Sequence, residues 1–284
     1  MDPNTTGVAA QRFDLLNGLP AGTTVHSFEN IMGYFNKTRA HKNALFHDKT
    51  NNEYLVFTDA PANEFQRFKD SESQAVKHAR WLYFWSTGIL IMKFGNGMHD
   101  YSCALTTCPG FVYVNIRDMD FQREVRIRPT IVHYGDISKR FDACWSPLND
   151  LSQRTLVMEM GLSESKPQLD LQAIHWLIAA ESPVQVVFTM ELNREKEEIV
   201  LRKWERPDTG SFRRSLRNTS SPEQLVTGEV TISHENKVGV ASSAMELPFS
   251  KIVGRDPDPN KPHERDFLIP KADLGILAEH VWMG

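Results

Sequence analysis

Hydrophobic positions along the 284-residue chain follow two periods, one helical and one strand-like, that alternate from end to end. Within Thr24 to His41, Phe28, Ile31, Met32 and Phe35 recur at helical spacing and predict an amphipathic helix. Glu53 to Phe57 reads as a strand, and Asn63 to Arg80, with Phe65, Phe68, Ala75 and Val76 among charges, as a second helix. Trp81 to Lys93 is rich in aromatic and β-branched residues around Thr87-Gly88, the pattern of a buried strand pair joined by a turn. After Asn96-Gly97, His99 to Thr107 predicts a short helix, while Phe111 to Ile116 and Val125 to His133 predict strands.

Arg154 to Glu159 is a further strand, and Leu169 to Ala180 a helix stopped by Pro183. Val184 to Leu192 and Ile199 to Trp204 form a closing strand pair around the charged turn Asn193 to Glu198. Glu229 to Val240 predicts one more strand, Arg255 to Pro262 an extended Asp/Pro loop, and Pro270 to Trp282 a terminal helix. Strands and helices mix throughout, which favours an α/β (α+β) domain over a bundle or a sandwich. The boundaries expected are a loose N-terminal arm at 1–20, a core over 21–205, a basic Ser/Arg-rich linker at 206–228, and a C-terminal strand and helix extension at 229–284 packed on the core.

Composition changes this picture little. Hydrophobic residues make up 40% and charged residues 24%, ordinary values for a chain with a packed core. A net charge of −4 gives no global pull toward nucleic acid or anionic membrane, so a nucleic-acid role needs a local basic face. The arginines at 206, 213, 214 and 217 are one source of phosphate contacts; a solvated loop is the plainer account of them. Three cysteines, Cys103, Cys108 and Cys144, argue against a disulfide framework and for a reducing compartment. The apolar run Trp81 to Phe94 is broken by Ser86, Thr87 and Gly88 and is too short to span a bilayer, and the polar N-terminus carries no secretory pattern. Cytosol or nucleus, without a membrane, is the expectation.

The chemistry concentrates in Lys139 to Trp204. Thr155 to Gly161 is apolar except for Glu159, and an ionised carboxylate in so apolar a strand costs several kcal/mol, roughly, unless something compensates it. Asp142 lies seventeen positions upstream, with Asn149-Asp150 available to turn between the two. If Asp142 ends one strand and Glu159 lies in its neighbour, the two converge on one ion, and Mg²⁺ suits carboxylate oxygens with retained waters. A salt bridge of either acid with Lys139 or Arg140 is the competing account of the same residues.

Three stretches carry a family resemblance: Lys139-Arg140-Phe141-Asp142-Ala143, then Leu156 to Ser165 (LVMEMGLSES), then Leu169 with Trp176-Leu177. Together they resemble a widespread fungal group of the PD-(D/E)XK nuclease-like superfamily, whose pattern is K-x-x-D-A followed by an apolar strand ending in E-x-G-x-S-E-S and a helix with a W-L pair. Val184 to Phe188 and Ile199 to Trp204 match its last two strands, and His99-Asp100 resembles the His-acidic step that opens its first core helix, also found in Uma2-like relatives. The resemblance covers about residues 85–205. It implies a restriction-endonuclease-like core, a mixed central sheet flanked by helices, with metal-dependent hydrolysis of DNA phosphodiesters as the ancestral chemistry. In that scheme Asp142 and Glu159 hold Mg²⁺ or Mn²⁺, Asp100 is an additional acid, and Lys139, Arg140, His99 and His175 are the side chains available to contact DNA or another nucleic acid.

The chain departs from the superfamily pattern at one place. A lysine belongs two residues after the glutamate, where it stabilises the charge developing on phosphorus; this chain has Gly161. Lys166 is the nearest substitute and His175 the next, although Lys166 is also placed as a solvated residue at a helix start and His175 as a packed helix residue. Without that lysine, a non-catalytic binding or regulatory module is the alternative. Ser163 or Ser165 is suited to capping the helix that follows, and Glu164 to further ligation. Cys103 and Cys108 near His99 form a Cys-x₄-Cys without a second pair, a weak zinc pattern. Trp81, Trp85, Trp145, Trp176 and Trp204 each sit in apolar segments and are expected in the core.

Overall fold

The computed structural model describes residues 16, 18–47, 49–69, 79–94, 125–127, 131–134, 136–140, 142–147, 149–162, 166–178, 182–207 and 225–283. His99, Asp100, Cys103, Cys108, Ser163 to Ser165, Arg213, Arg214 and Arg217 lie outside these, as do the helix expected at 99–107 and the strand at 111–116.

In chain order the first elements are β1 (Thr24–Ser27), α1 (Ile31–Phe46), β2 (Tyr54–Thr58), α2 (Ala62–Lys69), β3 (Ala79–Phe84) and β4 (Ile89–Phe94). Next come β5 (Val125–Ile127), β6 (Ile131–Tyr134), β7 (Ile137–Arg140), β8 (Ala143–Pro147), β9 (Leu156–Leu162) and α3 (Lys166–Ile178). The last are β10 (Val186–Asn193), β11 (Glu198–Glu205), β12 (Val226–Glu235), β13 (Val238–Ala241), β14 (Met245–Leu247), α4 (Phe249–Val253), β15 (Phe267–Ile269) and α5 (Lys271–Met283). The result is the mixed α/β class expected, with mixed sheets flanked by helices. Among the described residues no helix is long and apolar enough to cross a membrane.

Contacts divide the chain into two compact units, Met1–Asp100 with Thr130–Phe141, and Tyr101–Pro129 with Asp142–Gly284. The division passes inside the stretch 21–205 that sequence reads as one core.

The first unit is a six-stranded sheet in the order β1-β2-β4-β3-β7-β6, antiparallel except where β1 runs parallel to β2. One face carries Ala79, Trp81 and Tyr83 of β3 with Leu90, Met92 and Phe94 of β4, and these pack with Tyr34 of α1 and Phe65 and Phe68 of α2. Each large side chain so enclosed contributes about 1.5–3 kcal/mol. The turn between β3 and β4 needs Gly88: its φ is +61°, and a Cβ there would stand 2.5 Å from the carbonyl oxygen of Ala60.

Two expectations fail in this unit. Thr24 to Ser27 is a strand, not the first turn of a helix, and α1 begins only after Asn30, whose side chain accepts from the Gly33 amide at 2.8 Å. Met32, counted as apolar-face, is 63% exposed. The second expected helix closes at Lys69, and Ala79 and Arg80 belong to β3, where alternation of period two places Ala79 beside Trp81 and Tyr83 in the core.

The second unit is built on a seven-stranded sheet in the order β13-β12-β11-β10-β9-β8-β5. β5, β8 and β9 are successive antiparallel neighbours; β9 and β10 are parallel and joined through α3, which packs on both and reaches β11. The strand expected from Val125 to His133 is two strands in two sheets, with Pro129, which has no amide to give a ladder, between them. The single strand expected at Glu229 to Val240 is the hairpin β12–β13, and β12 already begins at Val226 inside the stretch assigned to a linker. Its two-residue turn, Asn236-Lys237, has φ of +53° and +68°, the geometry of a type I′ turn. α5 lies against β12 and β13 through Gly275 and Gly239, each so close that a Cβ on one would overlap the carbonyl of the other.

Candidate active site

β9 is buried along its whole length, so each side chain must be satisfied on the face it occupies. Alternation puts Val157, Glu159 and Gly161 on one face and Leu156, Met158, Met160 and Leu162 on the other. The indole Nε1–H of Trp176 on α3 donates to Glu159 Oε1 at 2.9 Å, which identifies the first face as the one beneath α3.

Asp142 directly precedes β8. The antiparallel ladder pairs Ala143 with Met158, Cys144 with Val157 and Trp145 with Leu156. One step further along the same register stands Asp142 opposite Glu159, and residues so opposed lie about 4.5–5.5 Å apart at Cα. The Asp142 carboxylate accepts from the Met160 amide, Oδ2 to N at 2.8 Å. Both acids are buried, at 4% exposure for Asp142 and 1% for Glu159. The two carboxylates that sequence singled out are thus cross-strand neighbours, each with one oxygen held by an uncharged N–H.

Register extends this pair into a row that the sequence did not announce. Glu159 pairs with Thr189 on β10, Thr189 with Arg202 on β11, and Arg202 with Glu229 on β12. Trp204 Nε1–H donates to Thr189 Oγ1 at 2.9 Å. Arg202 donates to Glu191 at 2.9 Å and to Glu229 at 2.7 Å. Burial works against the Arg202 charge, but those two carboxylates outweigh it and raise its pKa above the ordinary value. One face of an otherwise apolar sheet therefore carries a polar line across five strands. Its signal in the sequence is the break in alternation at Thr189 and Glu191 in β10 and at Arg202 in β11.

The remaining sequence candidates are distributed as follows. Lys166 opens α3 and is bound to Asp170 at 2.7 Å, an i,i+4 pair with its side chain 44% exposed. Gly161 pairs with Glu191 and offers no side chain to the face beneath α3. His175 is buried, its ring 6.0 Å from that of Trp176. Lys139 and Arg140 lie on β7 of the first unit, Lys139 buried and opposite Leu82. Burial, then the charge of Arg80, lowers the pKa of Arg140 from its ordinary value. Trp81, Trp145, Trp176 and Trp204 are buried as expected, whereas Trp85 is only partly so. Among the described residues no three His, Cys, Asp or Glu side chains converge as a metal cluster, so a cation here would rest on two carboxylates.

No family model matches the chain. No curated protein matches it either. Among solved structures the chain is similar to a crystal structure of a candidate nuclease belonging to DUF820 from Anabaena variabilis ATCC 29413, at 13% identity and a TM-score of 0.34. The match covers 51% of this chain and 79% of that one.

Proposed function

We propose that this chain is a nuclease-fold protein that binds Mg²⁺ or Mn²⁺ between Asp142 and Glu159 and acts on DNA phosphodiesters. The observation that carries the reading is the pairing itself: two buried carboxylates on adjacent strands, oriented by the Met160 amide and the Trp176 indole. Uncharged donors fix the direction of a carboxylate without neutralising it, which is the support that metal-ligating acids receive. Two carboxylates also suit Mg²⁺, which takes one or two from protein and completes its shell with water and substrate phosphate. A bound ion supplies polarisation of the scissile phosphate and a lower pKa for the attacking water. The motif string around Asp142 and Glu159 supports the same choice of substrate.

A second reading has its own observation. Gly161 stands where the superfamily places a lysine, and Lys166, the nearest substitute, is engaged with Asp170. A chain with the fold and the acids but no lysine suits a binding or regulatory module.

Incubation with supercoiled plasmid and with single-stranded DNA, in Mg²⁺ and in Mn²⁺, separates the two. The enzyme reading expects metal-dependent nicking that falls at least about a hundredfold in Glu159→Ala, the scale of losing a group that orients the reacting atoms. Metal binding without cleavage supports the module. Cleavage untouched by Glu159→Ala would sink the enzyme reading.

A further inference from the structure

One side chain near this site has no use in what has been described. Gln168 on α3 is fully enclosed, at 0% exposure, and neither its amide oxygen nor its amide nitrogen has a hydrogen-bond partner among the described residues. Burying a primary amide unsatisfied costs about 1–3 kcal/mol for each lost bond, and a methionine of the same length would avoid the cost. An expensive group with no structural return points to a ligand.

Its setting narrows the ligand. Gln168, Gln172 and His175 follow one another at i, i+4 and i+7, a polar stripe along the buried side of α3 beside the apolar one of Leu169, Ala173 and Leu177. Trp176, which holds Glu159, borders the same stripe. Eight residues of helix separate Gln168 from Trp176, about 12 Å along the axis. That distance is covered by three or four base steps at about 3.4 Å each.

We infer that Gln168 is a specificity-determining residue that reads the edge of a nucleobase turned out of the strand bound at Asp142 and Glu159. The inference rests on the nuclease reading above and names a subsite of it. A phosphate offers acceptors alone and would leave the Gln168 oxygen unsatisfied. A base edge offers a donor and an acceptor side by side, and adenine is the base a glutamine amide matches with both. An amide this enclosed is out of reach of a base stacked in a duplex, so the base is one that leaves the stack.

The test is binding of short single-stranded oligonucleotides by the full chain in Mn²⁺, with adenine, another base or an abasic residue at each position in turn. The wild type is expected to favour adenine at one position by about tenfold over the abasic residue. Gln168→Met should reduce that preference to within twofold, keep Mn²⁺ affinity, and melt at the same or a higher temperature. Gln168→Glu, which has an acceptor and no donor, should move the preference toward cytosine. A wild type that binds no oligonucleotide overturns the nuclease reading and this inference together. A wild type that binds without base preference, or a Gln168→Met that keeps the preference, overturns this inference alone. So does a Gln168→Met that melts more than about 5 °C lower, since the amide would then have its partners within the fold.

Discussion

Glu264 and Glu159 are both buried, at 6% and 1% exposure, yet the chain surrounds them differently. Glu264 is gripped by cations: Arg255 engages both of its oxygens, Lys261 adds a bond at 3.0 Å, and the Asp258 amide another at 2.8 Å. Arg255 first, and then the Asp258 amide, hold its pKa well below the usual carboxylate range. Glu205 belongs to the same kind, bound by Lys203 and Lys251 at 2.8 Å each and by Thr227 at 2.7 Å. Glu159 instead takes an indole N–H, and its neighbour Asp142 a backbone N–H. A carboxylate locked by cations fastens a loop or a helix to a sheet. A pair aimed by uncharged donors keeps its negative charge for something else.

The contrast breaks first at Glu264. Glu264→Ala leaves Arg255 and Lys261 facing each other across a buried gap, and the melting temperature should fall by roughly 10 °C. A fall of only a degree or two would remove the claim that cation-gripped acids are the structural ones. Glu205 gives the next largest effect, read by pH. Burial works against its charge, but Lys203, Lys251 and Thr227 outweigh that and bring its pKa from 4.5 down to about 2. A depressed folded-state pKa contributes stability that is present above pH 4.5 and is lost as pH falls from there toward 2. Glu205→Gln should therefore flatten the acid limb of a melting-temperature profile over that window, and an unchanged limb would contradict the assignment. Lys166→Ala should do least. It removes an exposed i,i+4 pair worth about 0.3–0.5 kcal/mol and leaves any DNA cleavage intact; a tenfold loss of cleavage would make Lys166 the missing catalytic lysine.

How much of this was legible in the sequence depended on how local the signal was. The β3–β4 hairpin is readable because Thr87-Gly88 interrupts a strongly apolar run and Gly88 adopts the positive φ its turn requires. The β12–β13 hairpin is not, because Asn236-Lys237 makes the same kind of turn without a glycine at its second position. Thr24 to Ser27 reads as helix from Phe28 onward, while its strand exists only through pairing with β2, a partner about thirty residues away. The site divides in the same way. Glu159 stands out because its own strand is apolar, and Asp142 because a motif precedes it. Thr189 and Arg202 join them only through the register of three strands, which composition and spacing do not carry. Trp176 and Trp204 are buried as expected, but their indole N–H groups have tasks at Glu159 and Thr189 that burial alone does not suggest.

The central claim is that Asp142 and Glu159 are kept charged for a cation and are not needed as charges by the fold. Calorimetric titration of Mn²⁺ into the wild type and into Asp142→Asn with Glu159→Gln, alongside their melting curves, tests it most directly. The amides preserve an oxygen acceptor for the Met160 and Trp176 N–H groups while removing both charges. The expected result is Mn²⁺ binding by the wild type, at least about a hundredfold weaker binding by the double variant as two charged ligands are lost, and a melting temperature equal or higher. No heat of binding with the wild type, or a double variant that melts as far below it as Glu264→Ala does, would contradict the account.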